Sequence, residues 1–148
     1  PSIDEARRNA ERADVADRLT FVAGDANDPL FAGRFDAAFI FEAVHDLSQP
    51  VEVLRALGDA CVEGGTVIVM DERVADEFGA IGDPVERFMY AASVLHCLPA
   101  GRAEQPSAAT GTVMRIDTFS GYAGAAGFAT VEVLPIEHDF FRFYRLER

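Results

Sequence analysis

The sequence is short of several things, and most of these shortages remove a class of function. Tryptophan is absent, which excludes little. There are two cysteines, Cys61 and Cys97, with neither metal-ligand spacing nor a disulfide framework around them, so a reducing cytoplasm is the expected location. The three histidines, His45, His96 and His138, are scattered with no two at ligand spacing, and no zinc or magnesium site is legible. Basic residues are outnumbered 13 to 25 by acidic ones, giving a net charge of −12. That field repels phosphate backbones and anionic bilayers, so neither nucleic acid nor a membrane surface is an expected partner. No apolar run approaches the roughly 18 residues of a membrane span, and nothing near Pro1 resembles a signal peptide.

What is present is an ordinary globular composition: 148 residues, 49% apolar, mean hydropathy +0.07, enough for one domain with one core. Ser2 and Glu5 have capping-box spacing, and Ile3, Ala6, Ala10 and Ala13 recur at helical intervals, predicting a helix over 2–14. Residues 19–23 (LTFVA) read as a short strand ending at Gly24-Asp25, followed by a turn-rich stretch with Asp28-Pro29 and Gly33 as breakers. Residues 36–41 (DAAFIF) read as a strand buried on both faces. Pro50 suits a helix first turn, with Leu54, Leu57 and Cys61 on the buried side, and Gly64-Gly65 leads into the strand TVIVM at 66–70. A helix over 84–97 carries Val85, Phe88, Met89, Ala92, Leu95 and His96 on one stripe, and 98–112, rich in Pro, Gly, Ala and Ser, reads as a mobile loop. A later helix through Phe119, Tyr122, Ala123 and Ala126 closes at Gly127. The runs 131–136 and 140–146 are too close in sequence to be parallel neighbours, so they are expected to pair antiparallel.

Four local motifs, in order, resemble the class I S-adenosylmethionine-dependent methyltransferases. LTFVAGDAND is similar to that family's third strand and acidic turn, FDAAFIFEAVHD to the fourth strand and the segment after it, CVEGGTVIVMDE to the glycine turn and fifth strand, and FSGYAGAAGFATVEVL to the late helix and sixth strand. The resemblance covers essentially the whole chain. It implies a Rossmann-like α/β sheet of parallel strands closed by a C-terminal antiparallel hairpin. It also implies S-adenosylmethionine as cofactor and methyl transfer to a small-molecule acceptor. The glycine-rich cofactor loop, the first two strands and the ribose-binding acid are not found. Because the chain opens at Pro1 directly into a helix, residues 1–148 are expected to be a partial domain, with about 76–116 as a substrate-side insertion. Relatives that carry an upstream dimerisation domain imply a possible homodimer.

In open α/β sheets ligands bind beyond the carboxyl ends of the strands. There the resemblance implies that Asp25 accepts a hydrogen bond from the adenine amine, with the Ala26 backbone beside the ring; the alternative is a turn aspartate capping its own backbone. Phe41 and Glu42 fall where the family passes beneath the methionine part of the cofactor, and a carboxylate there favours the cationic sulfonium. Glu42 reads equally as a solvated loop acid. His45-Asp46 matches a pair whose histidine, in small-molecule O-methyltransferases, removes the acceptor proton; an imidazole of pKa near 6.5 is neutral and able to do so at physiological pH. The competing reading is a pair that caps the next helix, and the aromatic residue that often follows is Leu47 here. Asp71-Glu72-Arg73 end the fifth strand and read either as substrate-facing or as solvated charge. His96 reads as a core histidine and Cys97 as packing. Two other functions compete with methyl transfer: a non-catalytic methyltransferase-like regulator or scaffold, and a nucleotide-binding oxidoreductase, which leaves the closing hairpin unexplained.

Overall fold

The computed structural model describes residues 2–26, 31–79 and 83–148. Among these the helices are α1 (Ser2–Arg12), α2 (Pro50–Ala60), α3 (Pro84–Ala92), α4 (Leu98–Gly101) and α5 (Ile116–Ala126), and the strands are β1 (Phe35–Phe41), β2 (Cys61–Glu72), β3 (Thr130–Val133) and β4 (Phe141–Glu147). The strands form one sheet in the order β1-β2-β4-β3. β1 and β2 are parallel, and β4 runs antiparallel to both β2 and β3. The expected hairpin therefore does close a parallel sheet, with β4 threaded between β2 and β3.

The core follows from strand alternation. Val67 and Val69 of β2 and Tyr144 and Leu146 of β4 point to one face, where they meet Leu54 of α2 and Phe119, Ala123 and Ala126 of α5. The Phe119 and Tyr144 rings lie 4.2 Å apart. Pro50 stands at the first turn of α2, where its missing N–H is not needed. Gly127 ends α5 in the left-handed region at φ 98° and places Phe128 against the core. Gly127→Ala is expected to lower unfolding free energy by about 1 kcal/mol, read from a urea titration, because the added Cβ disfavours that conformation.

Several expectations from the sequence are corrected. Residues 19–23 form no strand, since the described residues offer no neighbouring strand to hydrogen-bond with them. The apolar run of β1 is buried on one face only: Ala38 and Ile40 pack on the core while Phe35, Phe39 and Phe41 remain exposed, because no described layer covers the other face. α1 ends at Arg12, and Glu5 pairs with Arg8 and Arg12 instead of reaching back to a cap. On the helix over 84–97 the buried residues are Glu86, Met89, Ser93 and Cys97, whereas Phe88, Leu95 and His96 are exposed. A wider π-type turn at Ser93–Cys97 shifts the stripe from the one that regular helical spacing predicts. The breakers Asp28-Pro29 lie outside the described residues.

Candidate active site

The carboxyl ends of β1 and β2 lie side by side, with Phe41 opposite Met70. Just past β1 the backbone turns sharply. Glu42 sits at φ 55°, a conformation that costs a non-glycine residue about 1–3 kcal/mol and recurs at functional sites. Its N–H donates to the Met70 carbonyl at 2.9 Å, which ties the turn to β2. One short helical turn, 44–46, then carries Val44 into the core and buries His45, only 3% exposed.

Alternation along β2 decides what His45 meets. Val67, Val69 and Asp71 share the buried face, so the strand that builds the core also delivers a carboxylate to its upper edge. Asp71 is 1% exposed, and its Oδ1 accepts from His45 Nδ1 at 2.5 Å. Glu72 Oε2 lies 2.7 Å from the same nitrogen but has no hydrogen-bond partner, because the single Nδ1 proton is directed at Asp71. On the ring's other side Nε2 is 3.4 Å from Asp46 Oδ1, a buried oxygen that also lacks a partner.

These contacts fix the charges. Burial alone disfavours an imidazolium, but the Asp71 hydrogen bond and the carboxylates of Asp71 and Glu72 close by outweigh it and raise the His45 pKa to about 11. The neutral ring expected from an ordinary pKa near 6.5 is thus corrected to a cation. Burial works against ionisation of Asp71 too, yet its bonds with His45 and Glu72 hold its carboxyl below the usual range. Glu72 is raised, by burial and by Asp71 beside it, against the pull of His45. Glu42 is raised by partial burial and by Glu72 and Asp46, with His45 opposing. The strand ends therefore hold one buried cation among four carboxyl groups, with two buried oxygens unpartnered. Such a cradle suits a positively charged ligand group.

Residues 84–112 cover this turn. The Gly111 N–H donates to the His45 carbonyl at 3.1 Å and the Ala108 N–H to the Ser48 carbonyl at 2.8 Å. A Cβ on Gly101 would lie 3.1 Å from the Asp46 carbonyl oxygen, and one on Gly111 would lie 2.3 Å from Ser93 Oγ. The small residues that suggested a mobile loop instead permit close packing against the 44–48 turn. The far end of the cover is clasped by Glu86, which is 2% exposed and 2.6 Å from Arg115. Arg115 also donates to Tyr90 Oη at 3.0 Å and to the Ala75 carbonyl, joining α3, the exit of β2 and the start of α5.

Of the residues singled out in the sequence, the structure brings Phe41, Glu42 and His45 together. Asp25 is exposed. Ala26 lines a separate apolar cavity of about 340 Å³ with Phe31, Phe35, Phe39, Leu57 and Ala60, none of them a member of the His45 cluster. Asp71 and Glu72, weighed as solvated charge, are the main residues undervalued. The signal that would have marked Asp71 is its place two residues after Val69 on the core-facing side of the strand.

Residues 1–69 match a family profile described as a methyltransferase domain. Among solved structures, the chain superposes on an O-methyltransferase family protein from Burkholderia thailandensis with a TM-score of 0.70 at 15% identity, over 98% of this chain and 40% of that one. It superposes on the mitomycin 7-O-methyltransferase MmcR with a TM-score of 0.73 at 19% identity, over 99% and 39%. A third match is an O-methyltransferase from neocarzinostatin biosynthesis in complex with S-adenosyl-L-homocysteine and 1,4-dihydroxy-2-naphthoic acid, with a TM-score of 0.68 at 20% identity over 98% and 38%. The chain thus spans about 40% of the length of the structures it resembles.

Proposed function

We propose that the chain is part of a class I S-adenosylmethionine-dependent methyltransferase and that the protein transfers a methyl group from S-adenosylmethionine to a hydroxyl of a small-molecule acceptor; the methyltransferase-domain match of residues 1–69 and the fold shared with O-methyltransferases support it. The observation that supports this reading is the buried His45, oriented by Asp71 at the carboxyl ends of the parallel strands, where ligands of such sheets bind. When bound, S-adenosylmethionine supplies the electrophilic methyl on a cationic sulfur. The residues on the cofactor side are Phe41 and Glu42, with Asp25 and Ala26 as the adenine contacts. Their chemistry fits the group: Glu42 and the surrounding carboxylates favour a sulfonium, and the left-handed turn at Glu42 carries its backbone past the strand end.

On the acceptor side His45 manages one proton. Nδ1 keeps its hydrogen on Asp71, which leaves Nε2 to deal with the acceptor oxygen. The protonated ring holds the acceptor as its anion, the hydroxyl proton having left to solvent, so the anionic oxygen faces the imidazolium that Asp71 and Glu72 stabilise as it attacks the methyl. His45 is nearly fully buried, so an acceptor reaches Nε2 only when Asp46 or the cover of residues 84–112 gives way. This burial supports a role for residues 84–112 in acceptor selection and in the exclusion of water. Positioning supplies most of the remaining acceleration.

The test is transfer of a labelled methyl from S-adenosylmethionine to a panel of hydroxylated aromatic acceptors by the full-length protein, with cofactor binding measured separately by calorimetry. Transfer to at least one hydroxyl acceptor is expected. Cofactor binding with no transfer to any acceptor class would favour a regulatory or scaffold role instead, and failure to bind S-adenosylmethionine or S-adenosylhomocysteine would end the assignment.

A further inference from the structure

The two sides of the His45 ring are differently employed. Nδ1 is committed to Asp71 at 2.5 Å. On the Nε2 side lies Asp46 Oδ1 at 3.4 Å, buried and without a hydrogen-bond partner. Cys97 approaches the same place from the π-type turn, and its sulfur, a His45 ring nitrogen and an Asp46 oxygen all lie within 4.8 Å of one another. A nitrogen, a thiolate and a carboxylate oxygen make up a donor set that zinc takes with bonds of about 2.0–2.3 Å, leaving a fourth position open. Ligand atoms around such an ion stand about 3–4 Å apart, so small side-chain rotations would close the site. The outer partner is already in place. A ligating histidine almost always gives its second N–H to a carboxylate or carbonyl, which fixes the ring and strengthens the donor nitrogen, and Asp71 takes that N–H here. Asp46, with its side chain 35% exposed, provides the way in from solvent.

We propose that His45 through Nε2, Asp46 and Cys97 form a binding site for a thiophilic divalent transition metal such as Zn2+, with Asp71 as its outer partner. On binding, the Cys97 thiol and Nε2 release their protons to solvent, and the metal takes both lone pairs. Metal binding does not depend on the methyl-transfer reading, but its consequence does: a metal on Nε2 removes the atom that handles the acceptor proton, so the loaded enzyme should stop turning over. The spacing in sequence conceals the site, because Cys97 lies some fifty residues from the histidine and reaches it only through the shifted helical turn.

Co2+ titrated into the metal-free full-length protein provides a direct readout, since thiolate ligation gives a sulfur-to-cobalt absorption band. One equivalent of band is expected, displaced by Zn2+, absent in Cys97→Ser, and formed about 10–100-fold more weakly in Asp71→Asn. Circular dichroism of each variant confirms that it is folded. No band in the wild type, or a band retained in Cys97→Ser, overturns the proposal; the wild-type titration decides even if Asp71→Asn does not fold. Zn2+ is further expected to stop methyl transfer by the wild type, with a chelator restoring it, and to spare Cys97→Ser. Transfer undiminished at Zn2+ levels that displace cobalt overturns the inhibitory consequence. A protein that binds cobalt yet methylates nothing keeps the metal site and loses the functional assignment.

Discussion

On the proposed methyl-transfer function, His45→Ala in the full-length protein is expected to lower kcat by about 10²–10⁴-fold, the usual contribution of one positioned proton-handling group, while leaving S-adenosylmethionine affinity unchanged. The separation follows from the geometry. His45 joins Asp71 and Gly111, whereas Phe41 and Glu42, the residues proposed for the cofactor, are held by the β1 ladder and by the bond from the Glu42 N–H to the Met70 carbonyl. His45→Gln serves as the companion variant, since an amide keeps polar atoms in the pocket with less loss of packing. Both variants should lose turnover without losing calorimetric cofactor binding. Turnover within a factor of two of the wild type in either folded variant would remove His45 from the chemistry and leave it as a buried brace.

The largest effect on stability is expected at its partner. Asp71→Ala removes the carboxylate that takes the His45 Nδ1 proton and leaves Glu72, 2.7 Å from that nitrogen, as the remaining partner, so the loss stays below the roughly 3–5 kcal/mol that follows when a buried charge keeps no partner. The pH dependence has a definite sign. His45 is raised from an ordinary 6.5 to about 11, so its contribution is complete below 6.5, declines as pH rises, and is gone above about 11. Asp71 is depressed below its ordinary 3.8, so its contribution is present above 3.8 and is lost as pH falls through the lower folded value. The stability difference between wild type and Asp71→Ala should therefore be greatest between about 3.8 and 6.5 and shrink toward 11. Urea titrations across that range measure it, and a difference that stays level or grows above 6.5 would contradict the ion pair.

Much of the fold was legible because it rests on local signals. The β-run at 66–70, Pro50 at a first turn, Gly127 at a helix end and the short link before 140–146 each specify their own geometry. What was not legible depends on partners far away in sequence. The run 19–23 has strand composition, but a strand exists only where a neighbour receives its hydrogen bonds. The stripe on the helix over 84–97 was misplaced because the π-type turn changes the period, and nothing local announces it. The same division holds at the site. His45 was singled out because the His45-Asp46 pair resembles one in a known family, whereas its partner Asp71 comes from another strand and becomes visible only when the strands are registered.

The position of β4 has a consequence for how the chain comes to be folded. The interior of the sheet, next to β2, is filled by residues 141–147, while β3, which precedes it in sequence, lies at the margin. As the chain leaves the ribosome, β2 and its row of unpaired amides must wait for some seventy further residues before Tyr144 and Leu146 arrive to seal the core. During that interval the nascent domain exposes both an apolar strand and an open edge, the condition under which partly made chains associate with one another or rely on chaperones.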